Sequence, residues 1–333
     1  ELIAQRAAPR RDGSRLMVVD RAAGTVAHRS FGDVAGLLTH SDLLAINDTK
    51  VIPARLPAMR LSGGRMEILL VRKLPEAGET WLCMARASKR IRPGTEAVFP
   101  GGERCIFRAV RGEGEYAVQF SSDVALQSIM QAYGSTPLPP YIRREHGTCR
   151  DDVIRYQTVY AREPGSCAAP TAGLHFTPEL LEEIDRKTAG TVRLTLHVGP
   201  GTFLPVRAEN LDEHRMHEEW YELTEAAAGR INAARGHGGR LVAVGTTVAR
   251  TLEHVAAIHD GIKGSSGMTG IFIKPGHRFR AVDAMITNFH LPRSTLLVLV
   301  SAFAGHELVL RAYAEAVKER YRFFSFGDAM IIV

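Results

Sequence analysis

The sequence predicts an α/β fold in which a domain with a largely parallel or mixed sheet is interrupted by an inserted small β-barrel. Three observations predict it. From Tyr156 onward, strand-like runs alternate with helix-like runs, the pattern of helices packed on a sheet. Between Pro57 and Phe120 the texture changes to short β-rich runs punctuated by Gly and Pro, as in a small barrel or sandwich. A buried strand, Leu43 to Ile46, already precedes that stretch. The α/β domain is therefore expected to be discontinuous, 1–56 and 156–333, with 57–155 inserted.

The elements follow in order. Leu43 to Ile46 runs into a polar turn, Asn47-Asp48-Thr49-Lys50. The insert offers strands at Arg65 to Arg72, Thr80 to Ala85, Glu96 to Phe99, Arg104 to Val110 and Tyr116 to Phe120. Turn signals such as Ser62-Gly63-Gly64, Pro93-Gly94 and Gly101-Gly102 separate them. Ser122 then caps a helix, Asp123 to Tyr133, whose apolar face is Val124, Leu126, Ile129, Met130 and Tyr133. Pro137 to Tyr141 is an extended, proline-rich connector. Thr177 and Pro178 read as N-cap and first residue of another helix.

Thr191 to Val198 alternates strictly, with Val192, Leu194, Leu196 and Val198 on one face and Arg193, Thr195 and His197 on the other. Beyond it the pattern predicts a helix at Glu225 to Ala234 capped by Thr224, a strand at Arg240 to Val244 and a helix at Thr247 to Ala257. Strands at Gly270 to Ile273 and Ala284 to Phe289, a helix at His306 to Arg320 and a last strand at Ala329 to Val333 complete the chain.

Composition narrows the function classes. The chain has 333 residues, 45% hydrophobic and 23% charged, an ordinary globular balance. Its longest apolar run, Leu296 to Ala304, is too short to span a bilayer and contains Ser301. No basic start followed by an apolar core marks a signal peptide. Cys83, Cys105, Cys149 and Cys167 form no Cys-x-x-Cys pair, so a reduced, cytoplasmic protein is expected. The net charge of +6 is compatible with a polyanionic partner such as nucleic acid.

The most informative stretch is Pro164 to Thr177, Pro-Gly-Ser-Cys-Ala-Ala-Pro-Thr-Ala-Gly-Leu-His-Phe-Thr. Small residues let a backbone approach a ligand, and the loop opens into a helix start that favours electron-rich groups. It carries one imidazole, His175. Val244-Gly245-Thr246-Thr247 joins a strand to a helix, where the threonines either contact a ligand or simply cap the helix. His197-Val198-Gly199-Pro200-Gly201-Thr202-Phe203 ends a strand in a Gly-rich turn, and a polar-face histidine there is either structural or functional. Thr287-Asn288-Phe289-His290-Leu291-Pro292 places Asn and His at a strand end, suited to substrate contact or to a self-bonded turn. Lys274 ends another apolar run and suits a carboxylate or phosphate. His214 and His217 have the spacing of two metal ligands on a helix, but no third ligand is placed, so hydrogen bonding or ligand contact is preferred to metal. No Gly-x-Gly-x-x-Gly follows a strand, which disfavours a dinucleotide site or an ordinary methyltransferase site. Lys89, Arg90, Arg92, Arg143 and Arg144 lie near Tyr141 and Tyr156, a mixture that suits a nucleic-acid backbone or, more blandly, a solvated surface.

Several of these stretches together resemble the S-adenosylmethionine:tRNA ribosyltransferase-isomerase family of queuosine biosynthesis. The resemblance is carried by Asn47 to Leu56, Tyr156-Gln157-Thr158-Val159-Tyr160, Ala168 to Thr177, His197 to Phe203, Met216 to Tyr221, Thr287 to Pro292 and Phe323 to Met330. It spans nearly the whole chain. Cys167 stands where a small aliphatic residue is usual, Pro200 is one of several residues tolerated in the Gly-rich turn, and the family's pattern usually begins shortly before Glu1.

The resemblance implies an α/β domain with an inserted barrel, no metal, and an unusual reaction. The ribosyl part of S-adenosylmethionine, a consumed substrate and not a permanent cofactor, is moved onto 7-aminomethyl-7-deazaguanine at the tRNA wobble position. Epoxyqueuosine forms while adenine and methionine leave. The sulfonium acidifies the C5′ hydrogen, adenine needs a proton, and the aminomethyl group must be neutral to attack. A histidine suits such proton handling. On this basis His175 or His197 is expected near C5′ and adenine, with His290 and Asn288 near the ribose hydroxyls. Asp48, Thr49, Arg55, Thr171, Gly173, Thr246 and Thr247 are expected around the substrate, and Lys274 or Arg207 on the methionine carboxylate. Lys89, Arg90, Arg92, Arg143 and Arg144 are expected on tRNA phosphates. A monomer is expected. The rival readings are a noncatalytic tRNA-binding module and an S-adenosylmethionine-dependent RNA methyltransferase.

Overall fold

In the computed structural model, strands and helices are built over most of the chain; the structure describes residues 1–112, 114–145, 147–203, 210–214 and 216–333. The chain opens with β1 (Arg15–Asp20), β2 (Thr25–Ser30), β3 (Leu43–Asn47) and β4 (Thr49–Val51). Six barrel strands follow: β5 (Arg55–Arg60), β6 (Arg65–Lys73), β7 (Glu79–Ala87), β8 (Glu96–Val98), β9 (Arg104–Gly112) and β10 (Glu115–Phe120). Next come α1 (Asp123–Tyr133), α2 (Arg150–Arg155), β11 (Glu163–Ser166), α3 (Pro178–Lys187), β12 (Thr191–Leu196) and β13 (Glu219–Leu223). The last part holds α4 (Glu225–Gly236), β14 (Leu241–Val244), α5 (Thr246–His259), β15 (Ser265–Thr269), β16 (Ala284–Asn288), α6 (Thr295–Ala304), α7 (His306–Lys318) and β17 (Ala329–Ile332).

The architecture is mixed α/β with an inserted antiparallel barrel, as the alternation and the Gly/Pro texture predicted. Nine strands form one sheet in the order β15-β13-β12-β3-β14-β16-β17-β1-β2. Its centre, β12-β3-β14-β16, is parallel, and antiparallel strands flank it. The central strands are apolar on both faces because both are covered. Leu43, Ala45, Leu241 and Ala243 face a core shared with α4 to α7, while Leu44, Ile46, Val242 and Val244 face α3 and Phe31. The barrel closes in the order β10-β7-β6-β5-β8-β9 around Leu56, Ile68, Phe107 and Val118. Helix α1 packs on it through Leu126 and Ile129, with Ser122 Oγ accepting from the Ala125 N–H at 3.1 Å.

Several local expectations need correction. Asn47 to Lys50 is not a free polar turn. Asn47 Oδ1 accepts from the N–H groups of Leu196 and Thr49, and Thr49–Val51 pairs in parallel with β11. The strand expected at Gly270 to Ile273 lies instead at Ser265–Thr269, where the edge of β13 supplies an antiparallel partner. An edge strand needs only that partner, so the apolar residues Ile271 to Ile273 misdirected the prediction. Val124 does not belong to the buried face of α1 and is 73% exposed. Gly245, at φ 94°, is the N-cap of α5, so Thr246 and Thr247 are its first residues and not its caps. His214 and His217 lie outside any helix. His214 edges Phe272, and His217 Nδ1 stands 3.4 Å from Glu115 of the barrel.

Candidate active site

The carboxyl ends of the four parallel central strands bring four segments together: Asn47 to Thr49, the turn after Leu196, Gly245 to Thr247, and Asn288 to His290. This is where ligands bind on open α/β sheets. The small-residue loop covers these ends. Gly173 sits tightly there, since a Cβ would fall on the Tyr160 hydroxyl and 2.8 Å from Thr158 Cγ2. Gly165 likewise lies against the His197 ring, whose Nε2 would be 2.6 Å from an added Cβ. The loop ends in Thr177, whose Oγ1 accepts from the Leu180 N–H and fixes the start of α3.

Two cavities flank this loop. One, of about 190 Å³, is bounded by Thr171, Thr202, Asn288, His290, Tyr141 and Phe324. A crevice of about 30 Å³, also bordered by Thr171, Thr202 and His290, adds Thr246, Thr247 and Thr287. The other cavity, of about 750 Å³, lies where the barrel meets the connector and is bounded by Arg55, Arg144, the 135–140 segment, Cys167 and Pro200. The loop and the Gly-rich turn thus border both: Cys167 and Pro200 face the large cavity, Thr171 and Thr202 the small one.

The three histidines differ in their surroundings. His290 is buried, takes Thr287 Oγ1 on Nε2 at 2.9 Å and borders the small cavity. Burial lowers its pKa to about 3. His175 is buried too. Its ring stacks on Phe31, Nδ1 meets Ser14 Oγ at 2.7 Å, and Nε2 meets Asn288 Nδ2 at 3.1 Å. The amide must donate there, so Nε2 accepts and Nδ1 donates. Burial is the main cause that brings His175 to about 4, with Asp328 opposing. His197 stacks on Trp220 and meets Thr49 Oγ1 through Nδ1 at 2.8 Å; burial lowers it to about 4. All three are neutral imidazoles at pH 7. They carry no standing charge there.

Asn288 is held by its amide. Nδ2 donates to His175 Nε2 and to the Phe324 carbonyl, leaving Oδ1 with no partner among the described residues. Asp48 is buried beneath the loop, bonded by Thr195 Oγ1 at 2.7 Å and paired with Arg162 at 3.2 Å; burial raises its pKa. Asp48 and Thr49 therefore border neither cavity and hold the strand ends. Lys274 is paired with Asp212 and lies apart from both cavities. Arg207 lies outside the described residues. Lys89, Arg90, Arg92 and Arg143 are exposed. Arg144 is committed to Asp152 through two bonds, 2.8 and 2.6 Å, and to the Gln5 carbonyl.

Sequence reasoning gave no place at this site to five contributors, among them Tyr141, which it set with the basic residues. Tyr141 and Phe324 form a tilted aromatic pair, centroids 4.0 Å apart, beside the small cavity. Arg293, exposed at φ 59°, stands at its rim. Glu219, buried, accepts from the Gly199 N–H and Thr202 Oγ1, and pairs with buried Arg250 at 2.5 Å. Arg250, a charge set among Val248, Ala249 and Leu252, was the one that the sequence signalled.

Comparison with known proteins agrees with this architecture. The sequence model of a family described as queuosine biosynthesis protein matches residues 1–332. An S-adenosylmethionine:tRNA ribosyltransferase-isomerase of Geobacter metallireducens is 51% identical, over 100% of this chain and 96% of its own length. One of Anaeromyxobacter dehalogenans is 53% identical with the same coverage. The crystal structure of an S-adenosylmethionine tRNA ribosyltransferase from Thermotoga maritima superposes with a TM-score of 0.56 at 37% identity, covering 100% of this chain and 96% of that one. The chain belongs to the S-adenosylmethionine:tRNA ribosyltransferase-isomerase family.

Proposed function

We propose that this protein transfers and isomerises the ribosyl part of S-adenosylmethionine onto 7-aminomethyl-7-deazaguanine at the tRNA wobble position, releasing adenine and methionine. The observation that carries this reading is the full-length kinship with ribosyltransferase-isomerases at about half identity. The two cavities on either side of one thin wall fit a two-substrate reaction. The smaller takes S-adenosylmethionine and the larger takes the nucleotide turned out of the anticodon loop.

Within this reading His290 is the group that handles protons at the smaller cavity. A neutral imidazole accepts a proton from an acidified carbon, and Thr287 fixes its orientation. His175 acts at one remove, by holding the Asn288 amide. Thr246 and Thr247 lie at the start of α5, whose free amide ends stabilise an oxyanion while the epoxide closes. Arg293 at the rim replaces Lys274 as the partner of the methionine carboxylate, because Lys274 is already paired. Lys89, Arg90, Arg92 and Arg143 offer cations to tRNA phosphates.

The test is a single-turnover reaction of the protein, S-adenosylmethionine and tRNA carrying the aminomethyl base. Release of both adenine and methionine, with the matching mass gain on the tRNA, is the expected result. S-adenosylhomocysteine as product, or tight tRNA binding without adenine release, sinks the proposal.

A further inference from the structure

The large cavity has a built feature on its barrel side. Leu56, Ala58, Met66, Ile68 and Leu70 fill the barrel core, so the residues alternating with them on β5 and β6 point outward. On that outer face Glu67 pairs across the ladder with Arg86 of β7 and with Pro57 of β5, and Arg55 is one outward position further along β5. Arg55, Glu67, Arg86 and Arg144 all border the cavity, and Glu67 is the one carboxylate among its described lining residues.

The Arg55–Glu67 pair is open. Arg55 Nη1 lies 3.3 and 3.4 Å from the two carboxylate oxygens, longer than the roughly 2.7–2.9 Å of a closed charge-assisted bond. The two side chains are 39% and 43% exposed. Arg144, which borders the same cavity, is the contrast: it meets Asp152, behind the wall and 4% exposed, at 2.6 Å. The backbone of Arg55 is nevertheless clamped, since its N–H donates to the Ser135 carbonyl at 3.2 Å and its carbonyl accepts from the Ser135 N–H at 3.0 Å. A carboxylate on a rigid ladder, loosely engaged and flanked by guanidiniums, is free to exchange partners.

We infer that Glu67 reads the base that the tRNA delivers, its two oxygens accepting the adjacent N1–H and exocyclic N2–H of a guanine-type edge, with a flanking guanidinium donating to O6. The inference rests on the ribosyl transfer proposed above. A guanine-type edge is the one that presents two donors side by side next to an acceptor. An ionised carboxylate is the side chain with two acceptor oxygens set to receive them. Adenine, cytosine and uracil edges present no two adjacent donors and would leave one Glu67 oxygen facing a lone pair. Contact with the aminomethyl nitrogen instead would favour its protonated form, which cannot attack.

The experiment compares wild type and Glu67→Gln on two substrates: tRNA carrying the aminomethyl-deazaguanine, and tRNA carrying the same base without its 2-amino group. Adenine release is followed. For wild type, the analogue should raise the tRNA KM roughly tenfold or more. Glu67→Gln should raise it by a similar factor on the natural tRNA, with the KM for S-adenosylmethionine and the melting temperature unchanged. The variant should then lose little more on the analogue, because the contact is already gone. An unchanged tRNA KM, or losses from variant and analogue that multiply, would overturn the inference. So would a variant whose sole effect is a shifted pH profile of kcat, which would put Glu67 on the amine. Absence of adenine release by wild type on the natural tRNA overturns the proposed function itself, a separate result.

Discussion

Replacing Glu219 by Gln should unfold this protein more readily than any surface change, and the structure sets the size of the effect. Glu219 and Arg250 are 3% and 2% exposed at their side chains and meet at 2.5 Å. Arg250 Nε also donates to the Ile271 carbonyl, and its Nη2 has no partner among the described residues. The guanidinium therefore depends on Glu219 for charge balance. Glu219→Gln keeps an amide oxygen for the Gly199 N–H and Thr202 Oγ1 but leaves a buried cation unpaired. Breaking such a pair costs about 3–5 kcal/mol. In a chain of 333 residues that lowers the unfolding temperature by roughly 5 °C. The double variant Glu219→Gln/Arg250→Met removes both charges and should recover most of the loss, with a positive coupling energy in a denaturant double-mutant cycle. Because the amide still holds the turn that carries Thr202, the KM for S-adenosylmethionine in the double variant should stay near wild type. A single-variant loss below about 1 kcal/mol, or a double variant no better than the single, would refute the reasoning.

Four other outcomes follow from the same geometry. The folded state holds His175, His197 and His290 at about 4, 4 and 3, against an ordinary 6.5, so it binds fewer protons than the unfolded chain. Stability is then full above pH 6.5 and falls between pH 6.5 and 4, by on the order of 3 kcal/mol per group; denaturant titrations at pH 7.5 and 5 with equal midpoints would contradict this. His290→Ala should lower single-turnover adenine release by roughly 10²–10⁴ in protein that is still folded by melting at the assay temperature. His175→Ala should instead lower the melting temperature, since it leaves Ser14 and the Asn288 amide without their partner. Replacing Lys89, Arg90 and Arg92 with Ala should flatten the dependence of log tRNA affinity on log salt by roughly two units, and an unchanged slope would remove these residues from the interface.

How much of the fold could be read depended on whether burial left a periodic trace. Strands β3 and β14 were legible because a sheet covered on both faces demands apolar runs of strand length, and β12 because its residues alternate. Helices α1, α3 and α4 were legible because Ser122, Thr177 and Thr224 cap them, each oxygen accepting from an N–H three residues on. Helix α6 was read only as an apolar run. Thr295–Ala304 is almost wholly apolar around its circumference, so it carries no one-sided stripe. Strand β5 was missed because Pro57 argues against a strand, yet Pro57 is exposed and points out of the barrel. Strand β2 pairs only with β1 and is mostly exposed, so nothing in its sequence required alternation.

The site was legible in residue type and not in direction. Sequence placed His, Asn and Thr at strand ends, which is where the parallel strands deliver them. It could not say which imidazole faces open space, because that depends on partners far along the chain. His175 has both ring nitrogens engaged by residues 161 and 113 positions away, Ser14 and Asn288. The His290 ring has one tie, Thr287 Oγ1 on Nε2, three residues away, while its backbone N–H donates to the Tyr313 hydroxyl, so the other edge of the ring is left to face a ligand. Charge state is hidden in the same way. A histidine read from sequence is a group that titrates near neutrality, but burial has made all three neutral bases. Within the proposed reaction, a histidine that has taken up a proton becomes an acid available to the departing adenine. In the proposed reaction the acidified C5′ hydrogen is the available source, so the base step and the acid step are two halves of one transfer.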